Sequence, residues 1–296
     1  MGRFRAGEAR AHIAMRSAAT AIAMVALAGC GSSSGDPPTG ASSTDRPVAA
    51  PGVGPTRAPL DAALVEPAPT VPADGVRETF DTPSALTGWR VSHGEAMSGP
   101  PSEVSVVDGA LQIVSAHSQW LDNQHGTGVA VTVDGDVRVV ATVNVAGTAT
   151  PDPTVDWSLA GIMLREPGDP AYENWVHWSA GHVQSAVLER KNTRHGGSQL
   201  QLIGVEPGPV ALQLIRAGDD VFLLHRQGSG SWTVDYRFPR PDLPTTAEVL
   251  LTAQSGAETD HGDMVARFDD VSITPGPVPE SLHAQLLAGD ASGLTS

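Results

Sequence analysis

The chain contains very little cysteine and lysine and fewer basic than acidic residues, and each of these shortages excludes a source of stability or a class of partner. Cys30 is the single cysteine among 296 residues, so no disulfide can form within one chain. Lys191 is the only lysine, and the formal net charge is -15. Since nucleic-acid affinity depends on basic residues that neutralise phosphates, this composition excludes nucleic acid as a partner. Stability must come from an ordinary hydrophobic core.

The chain also lacks an apolar run of membrane-spanning length. Residues 18–28 carry no charge, but this stretch is too short to cross a hydrocarbon layer of about 30 Å. Arg3, Arg5, Arg10 and Arg16 precede it and small residues follow it. A basic start, a short apolar stretch and a small-residue cleavage site are the three parts of an export signal.

The end of this signal contains the quartet Leu27-Ala28-Gly29-Cys30, which resembles the lipobox of bacterial lipoproteins. The resemblance implies that residues 1–29 are a signal peptide and that lipidation of Cys30 (diacylglycerol, palmitate) makes a membrane anchor. The protein is then expected on the extracytoplasmic face of a bacterial membrane. The alternative is a plain secretory signal followed by a chance cysteine.

Two segments lack the patterns of packed structure. Residues 30–75 consist mostly of Ser, Gly, Pro, Ala and Thr without hydrophobic periodicity, which predicts a disordered, lipidated tether. Residues 276–296 begin within Pro275-Gly276-Pro277 and are expected to be a loose tail with at most a marginal helical turn around 282–287.

Between these segments, residues 76–275 show short alternating or wholly apolar stretches separated by Gly, Asp and Pro. Asp108-Gly109 and Asp134-Gly135 each separate two such stretches, and the pattern predicts two hairpins. Roughly a dozen strands without amphipathic helices indicate an all-β protein, a large antiparallel sandwich.

Three passages resemble the concanavalin A-like lectin and glucanase superfamily, in particular its regulator-of-enolase-like, β-xylosidase C-terminal-like and laminin G-like jelly-roll domains. They are the strand 160–165 with the aromatic strand 174–178, the hairpin 212–232, and the strand 268–273 with its match at 78–81. The resemblance implies a jelly roll whose first and last strands pair. Where the family's turn has Ser-x-Asp-Gly, this chain has Gln227-Gly228-Ser229-Gly230.

Tryptophan is over-used relative to phenylalanine and tyrosine, with six Trp, five Phe and two Tyr. Sugars bind with their CH faces on indole rings and their hydroxyls on polar side chains. Because alternate residues of a strand point to opposite sides, either Trp175 or Trp178 must point away from the core layer. The candidate ligand-binding residues are Arg165, Trp175, His177, Trp178, Glu189, Lys191 and Trp120. The competing interpretation is that the tryptophans pack in the core and the charges coat the surface.

Signals for catalysis and for metal binding are weak. Retaining glucanases need two carboxyl groups about 5 Å apart, and the Glu-x-Asp-x-x-Glu strand motif that would supply them is absent. Glu258, Asp260 and Asp263 are the nearest acidic cluster, which also fits a solvated loop. Asp81 and Asp269 would be the ligands of a structural calcium that the resemblance implies; no other cofactor is expected.

The sequence therefore favours a monomeric, lipid-anchored surface protein whose jelly-roll domain binds carbohydrate without turnover. Two alternatives remain: a glycoside hydrolase or lyase on the same scaffold, and an envelope scaffold that recognises another protein.

Overall fold

A computed structural model describes residues 67–92, 102–122, 124–168, 174–256 and 263–294. The chain divides into two compact units, residues 1–56 and 57–296, and all described residues belong to the second. Cys30 and the predicted signal peptide lie outside the described residues, as does most of the predicted tether.

Fifteen β-strands dominate the described structure, together with a short 3-10 helix at Pro83–Gly88 and one α-helix. The strands are β1 Val76–Glu78, β2 Arg90–Ser92, β3 Glu103–Val107, β4 Ala110–Val114, β5 Thr127–Asp134, β6 Val137–Ala146, β7 Ser158–Arg165, β8 Trp175–Val183, β9 Ser185–Arg194, β10 Gly197–Gly204, β11 Val210–Ala217, β12 Asp220–Gln227, β13 Thr233–Pro239, β14 Thr246–Gln254 and β15 Val265–Pro275; the helix α1 is Glu280–Leu287.

The strands form two antiparallel sheets that pack face to face, which confirms the predicted β-sandwich of jelly-roll type. The eight-stranded sheet has the order β13-β12-β11-β6-β15-β4-β3, with β1 also paired to β15. The seven-stranded sheet has the order β10-β9-β8-β7-β14-β5-β2. Between them lies the main core, built from Val, Leu, Ile, Ala and a few aromatic side chains of both sheets. Burial of this apolar layer is the main force that holds the sandwich together.

Only one of the two predicted hairpins is present. At the first, Asp108 and Gly109 both adopt positive φ, as a two-residue hairpin turn requires, and β3 pairs with β4. At the second, only Gly135 has positive φ, and β5 and β6 belong to different sheets. Both strands place alternate side chains in the main core, one strand from each sheet, so the turn carries the chain from one sheet to the other.

The folded region extends beyond both predicted ends. The first and last strands pair as expected, with Val76 opposite Ile273. Upstream of β1, Thr70 forms a parallel bridge with Thr132 of β5, although the sequence predicts that residue 70 lies in a disordered tether. Because the buried Ala68 packs beside this bridge, the chain becomes ordered before β1.

The C-terminal segment also differs from the predicted loose tail. Helix α1 and the residues after it cover the outer face of the eight-stranded sheet, where Leu286 and Leu294 are buried against Phe222 and Trp232. We call this second apolar layer the helix-covered cluster. No helix within the described ranges is long and apolar enough to cross a membrane.

Candidate functional site

Both faces of strand β8 are buried, although only one of them can face the other sheet. Trp178 points into the main core, where its Nε1 donates a hydrogen bond to the carbonyl oxygen of Leu224 at 2.7 Å. Trp175 and His177 point to the opposite side, and both are fully buried there. At β8, the outer face of the seven-stranded sheet is therefore covered by other parts of the chain.

Strand pairing determines which side chains are neighbours on this outer face. Three rows run across β9, β8, β7 and β14: Thr193-Trp175-Arg165-Glu248, Lys191-His177-Met163-Leu250, and Glu189-Ser179-Gly161-Thr252. We call these rows the polar face. They bring together Arg165, Trp175, His177, Glu189 and Lys191, five of the seven residues that the sequence nominated.

A buried ion-pair cluster occupies one end of the polar face. Glu248 Oε2 accepts hydrogen bonds from Arg165 Nε at 2.8 Å and lies 2.7 Å from Arg165 Nη2. Its other oxygen accepts from Arg90 Nη2 at 2.7 Å. Charged groups in such surroundings are stable only when paired this closely. Sequence reasoning missed Glu248, for which the only signal is an acidic residue inside the apolar run of β14.

His177 is held at the centre of the polar face in one tautomer. Thr252 Oγ1 donates to the Gly161 carbonyl oxygen at 3.2 Å, so it must accept at 2.7 Å from His177 Nε2. The other ring nitrogen, Nδ1, is then an acceptor. Burial, assisted by the charge of Lys191, lowers the pKa of His177 well below its usual 6.5 and keeps the ring neutral.

Glu189 and Lys191 form the third part of the polar face. Glu189 Oε1 accepts from Lys191 Nζ at 2.9 Å and from Ser179 Oγ at 3.4 Å. Burial raises the pKa of Glu189, and the nearby Lys191 opposes the rise. The same Nζ also donates to the carbonyl oxygen of Trp120 at 2.5 Å, so it connects the sheet to its cover.

The cover includes a segment that we call the strap, residues 118–122, which precedes β5. Ser118 begins it and exchanges two backbone hydrogen bonds of 3.1 Å with Ser255. Trp120, in the middle, is fully buried against Trp175 and other side chains of the outer face. The sequence nominated Trp120 as a candidate ligand-binding residue, and the structure places its indole between the strap and the sheet.

Four buried polar atoms under the strap have no hydrogen-bond partner within the described part of the chain. They are the donors Trp120 Nε1 and Trp175 Nε1 and the acceptors His177 Nδ1 and Glu189 Oε2. The nearest acidic oxygen to His177 Nδ1 is Glu189 Oε1, at 3.9 Å, which is too far for a hydrogen bond. Buried polar atoms are almost always paired, so four unpaired ones in a single cluster indicate a site for water or for a ligand.

The fold is shared with solved structures that bear glycoside hydrolase names. A variant of the GH43 protein BlXynB from Bacillus licheniformis matches with a TM-score of 0.52 at 13% identity, over 68% of this chain and 39% of that one. Xyloglucan PUL GH43B of Bacteroides ovatus matches with a TM-score of 0.52 at 14% identity, over the same two fractions. The chain thus spans well under half of these two proteins.

A third solved structure overlaps over its whole length but less closely. It is described as an immunostimulatory antigen and pseudo beta-1,3-glucanase of Mycobacterium tuberculosis, and it matches with a TM-score of 0.46 at 13% identity, over 69% of this chain and 100% of that one. No family model and no curated protein sequence matches the chain. At these identities the structural likeness concerns the fold.

The remaining nominated residues lie away from the polar face or outside the described ranges. Trp178 belongs to the main core, and Glu258 and Asp260 are not among the described residues. Asp263 accepts hydrogen bonds from the hydroxyls of Thr148 and Thr154, each at 2.5 Å, and these bonds lower its pKa to about 2. It therefore ties two chain segments together as a carboxylate.

The two predicted calcium ligands are exposed and bonded locally. Asp81 accepts a hydrogen bond from Thr79 at 2.6 Å. Asp269 accepts one from the backbone of Asp270, at the bulge where β15 shifts its register against β6. Within the described ranges, no three His, Cys, Asp or Glu side chains are grouped as metal ligands.

Proposed function

We propose that the β-sandwich binds carbohydrate at the polar face without turning it over. The observation that carries this proposal is the cluster of four unpaired polar atoms, two donors and two acceptors, beside two indole rings. A sugar hydroxyl both donates and accepts, and a sugar ring offers an apolar CH face. A saccharide therefore matches this mixture of groups better than a purely apolar or purely ionic ligand.

The carboxyl groups of the polar face support binding over hydrolysis. Glu189 lies on β9 and Glu248 on β14, three strands away. At about 4.8 Å per strand their backbone positions are roughly 14 Å apart across the sheet, and the two residues also lie in different rows along it. Glycosidases hold their two carboxyl groups only about 5 to 9.5 Å apart. Glu248 is in addition occupied by two arginines.

Retention on immobilised polysaccharide tests the proposal. The panel is xyloglucan, xylan and a soluble β-1,3-glucan, three uncharged polysaccharides with different backbones and linkages. Xyloglucan also appears in the name of a structural neighbour. We expect retention by at least one polymer and no release of reducing ends from it. A protein that passes unretained through all three gels would contradict the proposal.

A pair of tryptophan substitutions assigns the binding to the polar face. Trp175→Phe removes a free donor and part of a stacking surface, so we expect retention to weaken by about three- to tenfold. Trp178→Phe is the matched control, because that indole lies on the other side of the same strand. It should lower stability and leave retention per folded molecule unchanged. Equal losses in both variants would place binding elsewhere.

One observation favours the hydrolase alternative, namely the raised pKa of the buried Glu189. A carboxyl group whose pKa is raised by burial is typical of a general acid. Release of reducing ends from the panel by the parent protein, and its loss in Glu189→Gln, would establish catalysis in place of simple binding.

We further propose that the domain is displayed outside the cell by a lipid on Cys30. The support is the lipobox-like quartet and the export signal that precedes it. Growth with labelled palmitate should label the parent protein and not Cys30→Ser. Equal labelling of both would contradict the anchor, and it would leave the binding proposal untouched.

A further inference from the structure

The strap is attached by backbone-to-backbone hydrogen bonds at its beginning and by hydrogen bonds to side chains at its end. At its beginning Ser118 is paired to Ser255 by backbone hydrogen bonds. At its end Asp122 and Ser198 of β10 exchange two hydrogen bonds of 2.8 Å, one from each backbone nitrogen to the partner's side chain. Asp122 is exposed, so water competes for these bonds and their net contribution is small.

Trp120 is held between these two ends by contacts that a ligand could replace. Gln254 Oε1 accepts from its backbone nitrogen at 2.8 Å, and Lys191 donates to its carbonyl oxygen at 2.5 Å. Its indole lies directly against the backbone of Gly126, where an added Cβ would stand 2.6 Å from Nε1. The closed strap thus fills the space above the polar face with the Trp120 ring.

The closed arrangement packs well but leaves hydrogen bonds unmade. Trp120 contributes one of the four unpaired atoms, and the other three lie on the sheet beneath it. Each buried unpaired group destabilises the closed form. Hydroxyl groups placed between the strap and the sheet would supply the missing hydrogen bonds and remove this cost. Such placement requires the strap to lift, because the atoms are fully enclosed while it is closed.

We propose that the strap is a movable cover and that Trp120 is a ligand-binding residue carried on it. The inference rests on the proposed carbohydrate function. When the strap lifts, Asp122 separates from Ser198, and Lys191 exchanges the Trp120 carbonyl oxygen for a ligand hydroxyl. Trp120 and Trp175 then donate to the sugar from opposite sides, and Glu189 Oε2 and His177 Nδ1 accept from it. The ligand class is an uncharged polyhydroxylated ring.

A disulfide across the end of the strap tests the movement. Asp122→Cys and Ser198→Cys are placed in the full chain that carries Cys30→Ser, so that no other thiol is present. These two residues already exchange two hydrogen bonds of 2.8 Å, so the disulfide would join positions that are in contact in the closed form. Retention is measured on the xyloglucan, xylan and β-1,3-glucan gels with the disulfide oxidised and then reduced.

We expect the oxidised form to bind at least tenfold more weakly than the reduced form, with equal circular dichroism in both. Equal retention in the two forms would overturn the movable strap and leave carbohydrate binding intact. Absence of retention in the reduced form and in the parent protein would instead overturn the proposed function, and the strap inference with it.

A loosened strap gives the opposite expectation. Asp122→Ala with Ser198→Ala removes both hydrogen bonds at the end of the strap, which should raise the open fraction and tighten binding by up to about tenfold. The control is Thr79→Ala with Asp81→Asn, which removes another exposed hydrogen bond outside the site. Weaker binding in the loosened variant and not in the control would contradict the inference.

Discussion

Each of the two sheets has part of its outer face covered, and the two covers differ in chemical character. On the eight-stranded sheet, helix α1 and the residues after it lie on Phe222, Leu224 and Trp232, and the layer is apolar. On the seven-stranded sheet, the strap lies on the polar face, where charged and neutral polar groups surround two indoles. One cover completes a core, and the other encloses groups that still lack partners.

The difference separates a stabilising cover from a functional one. An apolar layer stabilises the fold in proportion to the area that it buries, and this stabilisation does not require specific partner atoms. A polar layer stabilises the fold only if every buried donor and acceptor has a hydrogen-bond partner, and several atoms of the polar face have none among the described residues. We therefore expect substitutions in the helix-covered cluster to change stability alone, and those on the polar face to change stability, pH dependence and binding together.

The largest expected effect lies in the helix-covered cluster. Phe222→Ala removes a fully buried ring from beneath α1 and should lower the free energy of unfolding by about 3 to 5 kcal/mol, as large-to-small core substitutions do. Denaturant unfolding measures this, and polysaccharide retention by the folded fraction should not change. A clear loss of retention in folded protein would break the division between the two faces.

The next largest effect is expected at the ion-pair cluster. Arg165→Met leaves Glu248 buried with Arg90 as its remaining cationic partner, and we expect the free energy of unfolding to fall by roughly 3 kcal/mol. Arg90→Met is the matched comparison, because the Arg90 side chain is partly exposed and should matter less. If Arg90→Met lowered the free energy of unfolding more than Arg165→Met, the deeper burial of Arg165 would not determine the stability of the ion-pair cluster.

A pH-dependent effect is expected from the neutral histidine. The lowered pKa of His177 means that, below its usual value of 6.5, the unfolded chain takes up a proton that the folded chain does not. Stability should therefore fall as the pH falls below 6.5, by up to about 1.4 kcal/mol per pH unit from this group. His177→Gln, which keeps a donor for Thr252, should flatten that dependence when unfolding is followed from pH 7 to 5.

Glu189 acts on stability in the opposite sense. Because the pKa of Glu189 is raised, the folded chain keeps a proton above pH 4.5, where the unfolded chain has already released it. The stabilisation that results from this difference is lost as the pH rises through the pKa of the folded state. Glu189→Gln should remove this second dependence. If the free energy of unfolding depended on pH in the same way in His177→Gln and Glu189→Gln, the opposite effects assigned to His177 and Glu189 would be contradicted.

The smallest expected effect concerns the attachment of α1. His283 Nε2 lies 3.1 Å from Asp220 Oδ2, and its ring meets Phe222 edge to face. His283→Ala should cost about 1 kcal/mol of stability and leave retention unchanged, whereas loosening the strap should change retention. A change in retention for His283→Ala would mean that the two covers are coupled.

Strand patterns predicted much of this architecture, because alternation and turn residues are local properties of the chain. The predicted strand 160–165 lies within β7, and the predicted strand 268–273 lies within β15. The Asp134-Gly135 turn was misassigned because a hairpin and a crossing between sheets can share the same turn residues. Only the non-local pairing of β5 with β14 distinguishes them.

The grouping of the candidate residues in space was predicted in part for the same reason. Residues of β7, β8 and β9 were nominated correctly as neighbours because these strands are consecutive in sequence. Glu248 was missed, because β14 enters the sheet beside β7 from more than 80 residues away. Which of Trp175 and Trp178 faces inward depends on which side of β8 the second sheet occupies, and the alternation within one strand does not contain that information.

The burial of the only lysine determines which reagents will report on this protein. Lys191 is 1% exposed and its ammonium group is bonded to Glu189 and Trp120. Amine-directed dyes, biotin esters and lysine crosslinkers should thus leave the folded side chain unmodified, and carboxyl-directed chemistry suits the many acidic residues better. Amine labelling of Lys191 would then serve as a chemical sensor of the moment when the seven-stranded sheet loses its cover.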